Sequence, residues 1–220
     1  MSKIFLNLIQ NLNPELAHFL TIKLLKFYSK KKNLNDNPIL NQRFLGLDFS
    51  NPIGLAAGFD KNAEVINPML NFGFGFVEVG TITPKYQIGN IKPRIFRLKE
   101  DHAIINHLGF NNQGSEKILD RLKKINLSNL NQGIVGINIG KNKSSENAIN
   151  DYCYCLDMLG KFGHYITINI SSPNTENLRN FHNPKELEKL LKALNEEKDK
   201  LGSSISIAVK IAPDIQTKDL

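Results

Sequence analysis

A lysine that directly follows a run of small residues, Ala56-Ala57-Gly58-Phe59-Asp60-Lys61, is the first stretch of this sequence in which chemistry can be read. Backbone without bulk at Ala56, Ala57 and Gly58 lets a flat ring or a phosphate approach closely. A cation at Lys61 suits a carboxylate or an electron-rich ring edge, although a tight turn followed by a solvated lysine is the plain alternative. Six asparagines (Asn106, Asn111, Asn112, Asn138, Asn169 and Asn174) fall in loops or at the ends of apolar runs. Each offers a donor and an acceptor on one short arm, which fits a ligand edge that alternates C=O and N–H, such as a pyrimidine or a flavin. Turns and caps use asparagine too; Asn138 and Asn169, each ending an apolar run, read as ligand contacts. Ser172 sits in Ser171-Ser172-Pro173-Asn174 without a Gly-x-Ser-x-Gly elbow, and no histidine has triad spacing to it. It reads as a proton relay, not an acyl nucleophile. No His, Cys, Asp and Glu cluster has metal-ligand spacing, so no metal is expected. No phosphate loop or Gly-x-Gly-x-x-Gly follows the first strand, which argues against a P-loop or Rossmann site.

The elements that must position these residues follow from hydrophobic patterning. Apolar runs at 53–57, 76–80, 133–139, 165–170 and 205–211 read as strands, with helices near 62–71, 114–125, 145–160 and 184–200 between them. Nearly continuous apolar strands separated by helices imply parallel pairing with both faces covered. Each strand runs into a loop carrying Gly, Asn, Ser or Lys, and polar groups at successive strand ends are where a (β/α) barrel builds its site. An open doubly wound sheet would also place ligands there. Before the strands, residues 1–33 read as two helices: one through Ile4, Phe5, Leu8, Ile9 and Leu12, and one opened by Asn13-Pro14. The second carries Leu16, Phe19, Leu20, Leu24 and Phe27 at helical spacing. Residues 34–43 read as a polar linker, and 44–220 as a barrel domain with about five βα units.

Composition narrows the partners. The 220 residues hold 28 Lys+Arg against 21 Asp+Glu, a formal charge of +7. Six lysines against one acid lie within residues 1–33, so the excess is concentrated there. No basic stripe with interleaved aromatics is present, so nucleic acid is not an expected partner. Cys153 and Cys155 are too close in sequence to bridge, which fits a reducing compartment. No apolar run approaches the roughly 20 residues needed to span a bilayer, and the N-terminus lacks export-signal features. The cytoplasm is therefore the expected compartment.

Taken together, several stretches resemble the membrane-associated, quinone-linked (class 2) dihydroorotate dehydrogenases. They are Asn51-Pro52-Ile53-Gly54-Leu55-Ala56-Ala57-Gly58-Phe59-Asp60-Lys61, Gly80-Thr81-Ile82-Thr83-Pro84 and Lys92-Pro93-Arg94-Ile95-Phe96-Arg97-Leu98. Others are Asn106-His107-Leu108-Gly109-Phe110-Asn111-Asn112, Gly136-Ile137-Asn138-Ile139-Gly140-Lys141-Asn142, Asn169-Ile170-Ser171-Ser172-Pro173-Asn174-Thr175 and Ala208-Val209-Lys210-Ile211-Ala212-Pro213-Asp214. The resemblance implies an α/β fold of the (β/α)8 TIM-barrel type with an N-terminal two-helix extension. It also implies FMN-dependent oxidation of dihydroorotate to orotate in pyrimidine biosynthesis, with a membrane quinone as electron acceptor. Carried over by motif, Ala57, Gly58, Phe59, Asp60, Lys61, Thr81, Asn138, Asn169 and Lys210 would bind FMN. Lys61, Asn106, His107, Leu108, Gly109, Phe110, Asn169 and Asn174 would bind dihydroorotate.

By the same resemblance, Ser172 would be the catalytic base, enclosed by Phe110 and Thr175; cytosolic members of the family have cysteine there. His18 and Arg97 resemble residues near the quinone. The N-terminal helices would form the quinone entry and lie in the membrane interface. That implies peripheral association with the cytoplasmic face of the cell membrane, or with the mitochondrial inner membrane in a eukaryote. Two features depart from the family pattern. Asn177 stands where the family usually reads glycine, a position asparagine can fill at positive φ at some cost. The readable strands number five, whereas a barrel of roughly 250 residues has eight, so an incomplete enzyme that binds FMN weakly or not at all without a complementing fragment is expected. Another pyrimidine-directed FMN barrel, or a non-catalytic segment docking on lipid or a partner, are the competing readings.

Overall fold

The computed structural model describes residues 9–28, 36–125, 127 and 133–215. Most of the first expected helix, its lysine Lys3, and the basic end Lys30–Lys32 lie outside the described residues.

Five strands form one parallel sheet in the order β3-β4-β7-β8-β9, with β3 Gly54–Leu55, β4 Phe76–Ile82, β7 Ile134–Ile139, β8 Tyr165–Asn169 and β9 Ser206–Lys210. All five expected strands are present, and every residue of β7 and β8 is buried. The physical reason is visible in the alternation along each strand. Val77 and Val79, Val135, Ile137 and Ile139, and Ile166 and Ile168 are fully buried in the core. They pack with helices α3 Ser115–Leu122, α4 Ala148–Leu159 and α5 Pro184–Lys200 through Ile118, Leu156, Leu159, Leu190 and Leu194. The alternate residues, among them Glu78, Asn138, Thr167, Asn169 and Lys210, meet one another on the other face. Among the described residues the sheet is an open barrel wall bounded by β3 and β9.

The helices begin where their caps say they should. Asn183 accepts from Lys185 N ahead of Pro184, and Asn147 accepts from Asn150 N to open α4. A short helix α2, Ile66–Asn71, occupies part of the 62–71 stretch. Its approach is built by Asp60, whose two carboxylate oxygens accept from Glu64 N and Val65 N at 2.8 Å each.

Two antiparallel hairpins were not anticipated from the sequence. β1 (Gln42–Phe44) pairs with β2 (Leu47–Phe49), and β5 (Ile95–Leu98) pairs with β6 (Ala103–Asn106). All residues of β1 and β6 are exposed, so neither carries the apolar alternation that marks a half-buried strand. The first hairpin also takes residues 42 and 43 out of the stretch read as a linker.

The N-terminal helix α1, Pro14–Leu25, is capped by Asn13, which accepts from Glu15 N and Leu16 N. It docks on the barrel through charge. Buried Arg94 donates from Nε and Nη2 to one oxygen of Glu15 at 3.0 and 2.8 Å, and Lys92 lies 3.3 Å from the other. Lys26 pairs with Glu64, and His18 Nε2 lies 2.7 Å from the carbonyl oxygen of Phe59. Ala17 and Ile22 are its buried residues, whereas Leu16, Phe19, Leu20, Leu24 and Phe27 are all exposed. The apolar stripe read at helical spacing is thus exposed, with Leu16 and Phe19 also bordering the space between the helix and the barrel.

Replacing Glu15 by Gln leaves the Arg94 guanidinium, only 4% exposed, without its counter-charge. The expected loss is about 1–2 kcal/mol of stability in urea unfolding, discounted because Glu15 is partly solvated. Burial pushes the Glu15 carboxyl up, but the hydrogen bonds and charges of Arg94 and Lys92 together hold it below its ordinary 4.5. Its contribution is therefore complete above that value and disappears as pH falls through the folded-state value. Glu15→Gln should remove this part of the acid sensitivity; an unchanged urea midpoint and pH profile would contradict the assignment.

Candidate active site

The carboxyl ends of β4, β7, β8 and β9 bring four polar side chains into one hydrogen-bonded group. Thr81 Oγ1 donates to Asn138 Oδ1 at 2.6 Å and accepts from Asn169 Nδ2 at 2.9 Å. Asn169 Nδ2 also reaches Asn138 Oδ1 at 3.2 Å, while its Oδ1 accepts from the backbone N–H and hydroxyl of Ser171 at 3.2 and 2.8 Å. Lys210 Nζ closes the group on Ser171 Oγ at 2.7 Å. Thr81, Asn138 and Asn169 are buried, and buried amides must be satisfied or they cost stability. Asn169 uses all four of its positions within the protein. Asn138 keeps one N–H, Thr81 one lone pair and Lys210 two N–H groups for a ligand.

Thr81 reaches this face because β4 carries an extra residue there. Val79 pairs with Ile137 and Ile82 with Ile139, three residues against two. Such a bulge re-aims a side chain, so Val79 and Ile82 both stay in the core while Thr81 turns toward Asn138.

The loop after β3 lies against the same rim. Gly58 N donates to Gly80 O at 2.8 Å, and Gly80 N to Asp60 O at 3.0 Å. Gly58 is exposed at φ +109°, and a side chain added there would meet nothing within 4 Å. That leaves an open, bare stretch of backbone of the kind a flat ring needs. Lys61 Nζ donates to Gly58 O at 2.6 Å; burial, with the Arg94 charge adding to it and Glu15 opposing, lowers its pKa. Asp60 is 1% exposed, and its oxygens are spent on the turn into α2. Phe59 offers its carbonyl to His18.

Two further loops meet beside it. Asn174 Nδ2 lies 3.5 Å from Asn106 O, joining the segment after β6 to the segment after β8. Ser172 Oγ accepts from Asn174 N at 3.2 Å, and Thr175 is buried with its hydroxyl unpartnered. Arg179 holds this loop by donating to Ser171 O at 3.2 Å and to Asp214 at 2.9 Å. Asn177 takes φ +58°, the left-handed conformation expected where the motif usually reads glycine. Phe110 takes φ +53°, and its ring lies over Gly140. His107 stacks on Phe96, and Gly109 packs on the Asn90 side chain. Asn112 is fully engaged inside the protein, whereas Asn111 keeps a buried, unpartnered Oδ1.

Between α1 and this rim lies a cavity of about 1040 Å³, lined among others by His18, Phe19, Phe59, Lys61, Arg94 and Leu108. Burial, helped by the Lys61 charge, lowers the His18 pKa and favours the neutral ring. Arg97 is not among the lining residues. Its guanidinium donates to the carbonyls of Gln10 and Leu12 at 2.8 and 2.6 Å, tying down the turn before α1. Two residues escaped the sequence reading. Arg94 carries the buried charge between α1 and the barrel. Glu78 accepts from Asn138 Nδ2 at 2.7 Å, and its signal was a carboxylate inside the apolar run Phe76-Val77-Glu78-Val79.

Comparison with known proteins agrees with this geometry. The family model described as "Dihydroorotate dehydrogenase" matches residues 39–220. A protein of Rhodopseudomonas palustris (strain BisA53), named "Dihydroorotate dehydrogenase (quinone)", is 44% identical over 218 residues, covering 98% of this chain and 59% of its own. A protein of Agrobacterium fabrum with the same name is 47% identical over 214 residues, covering 95% and 58%. The ligand-free DHODH of Eimeria tenella superimposes with a TM-score of 0.88 at 42% identity, covering 94% of this chain and 63% of that one. The chain thus spans about three fifths of the length of the relatives it matches. With the barrel wall, the rim and the loops all accounted for, the chain belongs to the dihydroorotate dehydrogenase family.

Proposed function

We propose that this chain takes part in FMN-dependent oxidation of dihydroorotate to orotate, with a membrane quinone as the final acceptor, in pyrimidine biosynthesis. The observation that carries this reading is the linked set Thr81, Asn138, Asn169 and Lys210 at the strand ends, with Ser172 and Asn174 in the adjoining loop. The residues present fit a flavin: the Gly58 backbone is open, and the spare N–H groups of Lys210 and Asn138 would suit an edge rich in acceptors. Bound FMN would supply the hydride acceptor and the route for two electrons onward to quinone.

Lys61 is assigned to the substrate carboxylate. Its ammonium is desolvated and has one protein partner, Gly58 O, so an anion at the two remaining N–H groups offsets the burial cost. Asn106 and Asn174 are assigned to the polar edges of the dihydroorotate ring; Asn169, its amide fully engaged within the protein, is assigned to orienting Thr81 and Asn138. Ser172 is the base that accepts the ring proton. A hydroxyl is a weak base, so exclusion of water and a relay onward are needed for it to work; the buried Thr175 hydroxyl, which has no partner among the described residues, is assigned to that relay.

The cavity beneath α1 is assigned to the quinone, with His18 at its wall. The exposed stripe of Leu16, Phe19, Leu20, Leu24 and Phe27 is assigned to the membrane interface, which makes the association peripheral. No helix among the described residues is long and apolar enough to cross a membrane.

Ser172→Ala should lower orotate formation by at least about 100-fold while leaving the FMN dissociation constant within about twofold; unchanged turnover contradicts the assignment. Leu24→Ser combined with Phe27→Ser should reduce co-sedimentation with phospholipid vesicles at least about tenfold, from the apolar burial lost. Equal sedimentation contradicts the membrane reading.

A further inference from the structure

The polar group at the rim is one chain of hydrogen bonds running in a single sense. Lys210 donates to Ser171 (2.7 Å), Ser171 to Asn169 (2.8 Å), Asn169 to Thr81 (2.9 Å), Thr81 to Asn138 (2.6 Å) and Asn138 to Glu78 (2.7 Å). Serine, threonine and amide groups both donate and accept, so the middle of the chain has no sense of its own. An ammonium only donates and an ionised carboxylate only accepts. The direction is therefore imposed at the two ends.

We propose that Glu78 is a positioning residue: it fixes the orientation in which Asn138, and through it Thr81 and Asn169, present donors and acceptors to the cofactor. This rests on the FMN site proposed above. Were the Asn138 amide turned over, its oxygen would face the carboxylate and its NH2 would face the Asn169 NH2. With Glu78 in place only one arrangement is satisfied, and it leaves one Asn138 N–H free for the ligand.

The rest of the barrel interior holds the carboxylate in that role. Its second oxygen accepts from Tyr165 OH and Thr167 Oγ1, both at 3.0 Å. Tyr165 reaches it across Gly136, where a Cβ would come within 2.2 Å of the tyrosine ring, so the intervening strand must be bare at this point. Burial and the Glu78 charge push the Tyr165 hydroxyl up, so it remains a donor.

Glu78→Gln keeps the shape but lets this end donate as well as accept, so the Asn138 orientation is no longer imposed. The test uses the full chain, isotope-labelled and flavin-free, reading the Asn138 and Asn169 side-chain amide resonances, followed by FMN titration monitored by flavin fluorescence. In the unsubstituted protein one Asn138 side-chain proton should lie downfield of solvent-exposed asparagines. Glu78→Gln should abolish that displacement and weaken FMN binding at least about tenfold. Unmoved amide resonances, or FMN affinity within twofold of the unsubstituted protein, overturn the proposal. If Glu78→Gln fails to fold, the unsubstituted spectrum decides, and absence of the downfield proton overturns it. Failure of the unsubstituted chain to bind FMN even when a complementing C-terminal fragment is supplied overturns the cofactor reading instead, and the resonances still judge Glu78.

Discussion

Polar side chains set inside a parallel barrel must find partners among themselves, because water cannot reach all of them and unpaired amides are costly. That constraint organises the structure. Glu78, Asn138, Thr167, Asn169 and Lys210 all occupy inward positions of the parallel strands, and each is hydrogen-bonded to another side chain of this interior or of its rim. The bulge that delivers Thr81, the glycine that lets Tyr165 cross and the loop that seats Ser171 all serve the same closure. The outward positions meanwhile hold the apolar contacts with the helices. One sheet therefore supplies stability on one face and a prepolarised recognition surface on the other.

The N-terminal helix obeys a different balance. Its inner side is fixed by ion pairs and hydrogen bonds, not by a broad apolar seam; only Ala17 and Ile22 are buried. The larger apolar residues Leu20, Leu24 and Phe27 are exposed and lie outside the cavity lining, and a helix so arranged would be poorly designed for a protein alone in water. Docking by charge leaves room beneath it, and that room is the cavity connecting the apolar surface with His18, Lys61 and the rim.

Much of this architecture was legible in the sequence, and the reasons are physical. The five apolar runs became five parallel strands because continuous apolar patterning leaves few alternatives once helices separate one run from the next, as at 134–139 and 165–169. Asn13-Pro14 and Asn183-Pro184 opened helices through local capping that needs no tertiary context. The hairpins at 42–49 and 95–106 were illegible because their strands are largely exposed and pair only locally. Asn138 and Asn169 could be singled out by type at strand ends and Lys61 by the small-residue turn before it, whereas the role of Lys210 rested on the family resemblance. Glu78 and Arg94 could not be singled out, since their meaning depends on partners 60 and 79 residues away. Asp60 lay in the right motif, but its carboxylate builds the turn that presents its neighbours.

The central claim is that strand-end amides and Lys210 form the seat of a flavin beside the Ser172 loop. A crystal structure of the chain grown with FMN and orotate tests it most directly. The account predicts ring density within hydrogen-bonding distance of Lys210 Nζ and the free Asn138 N–H, with orotate between it and Ser172. Flavin density lodged elsewhere, with the rim group unaltered and empty of ligand, would contradict it.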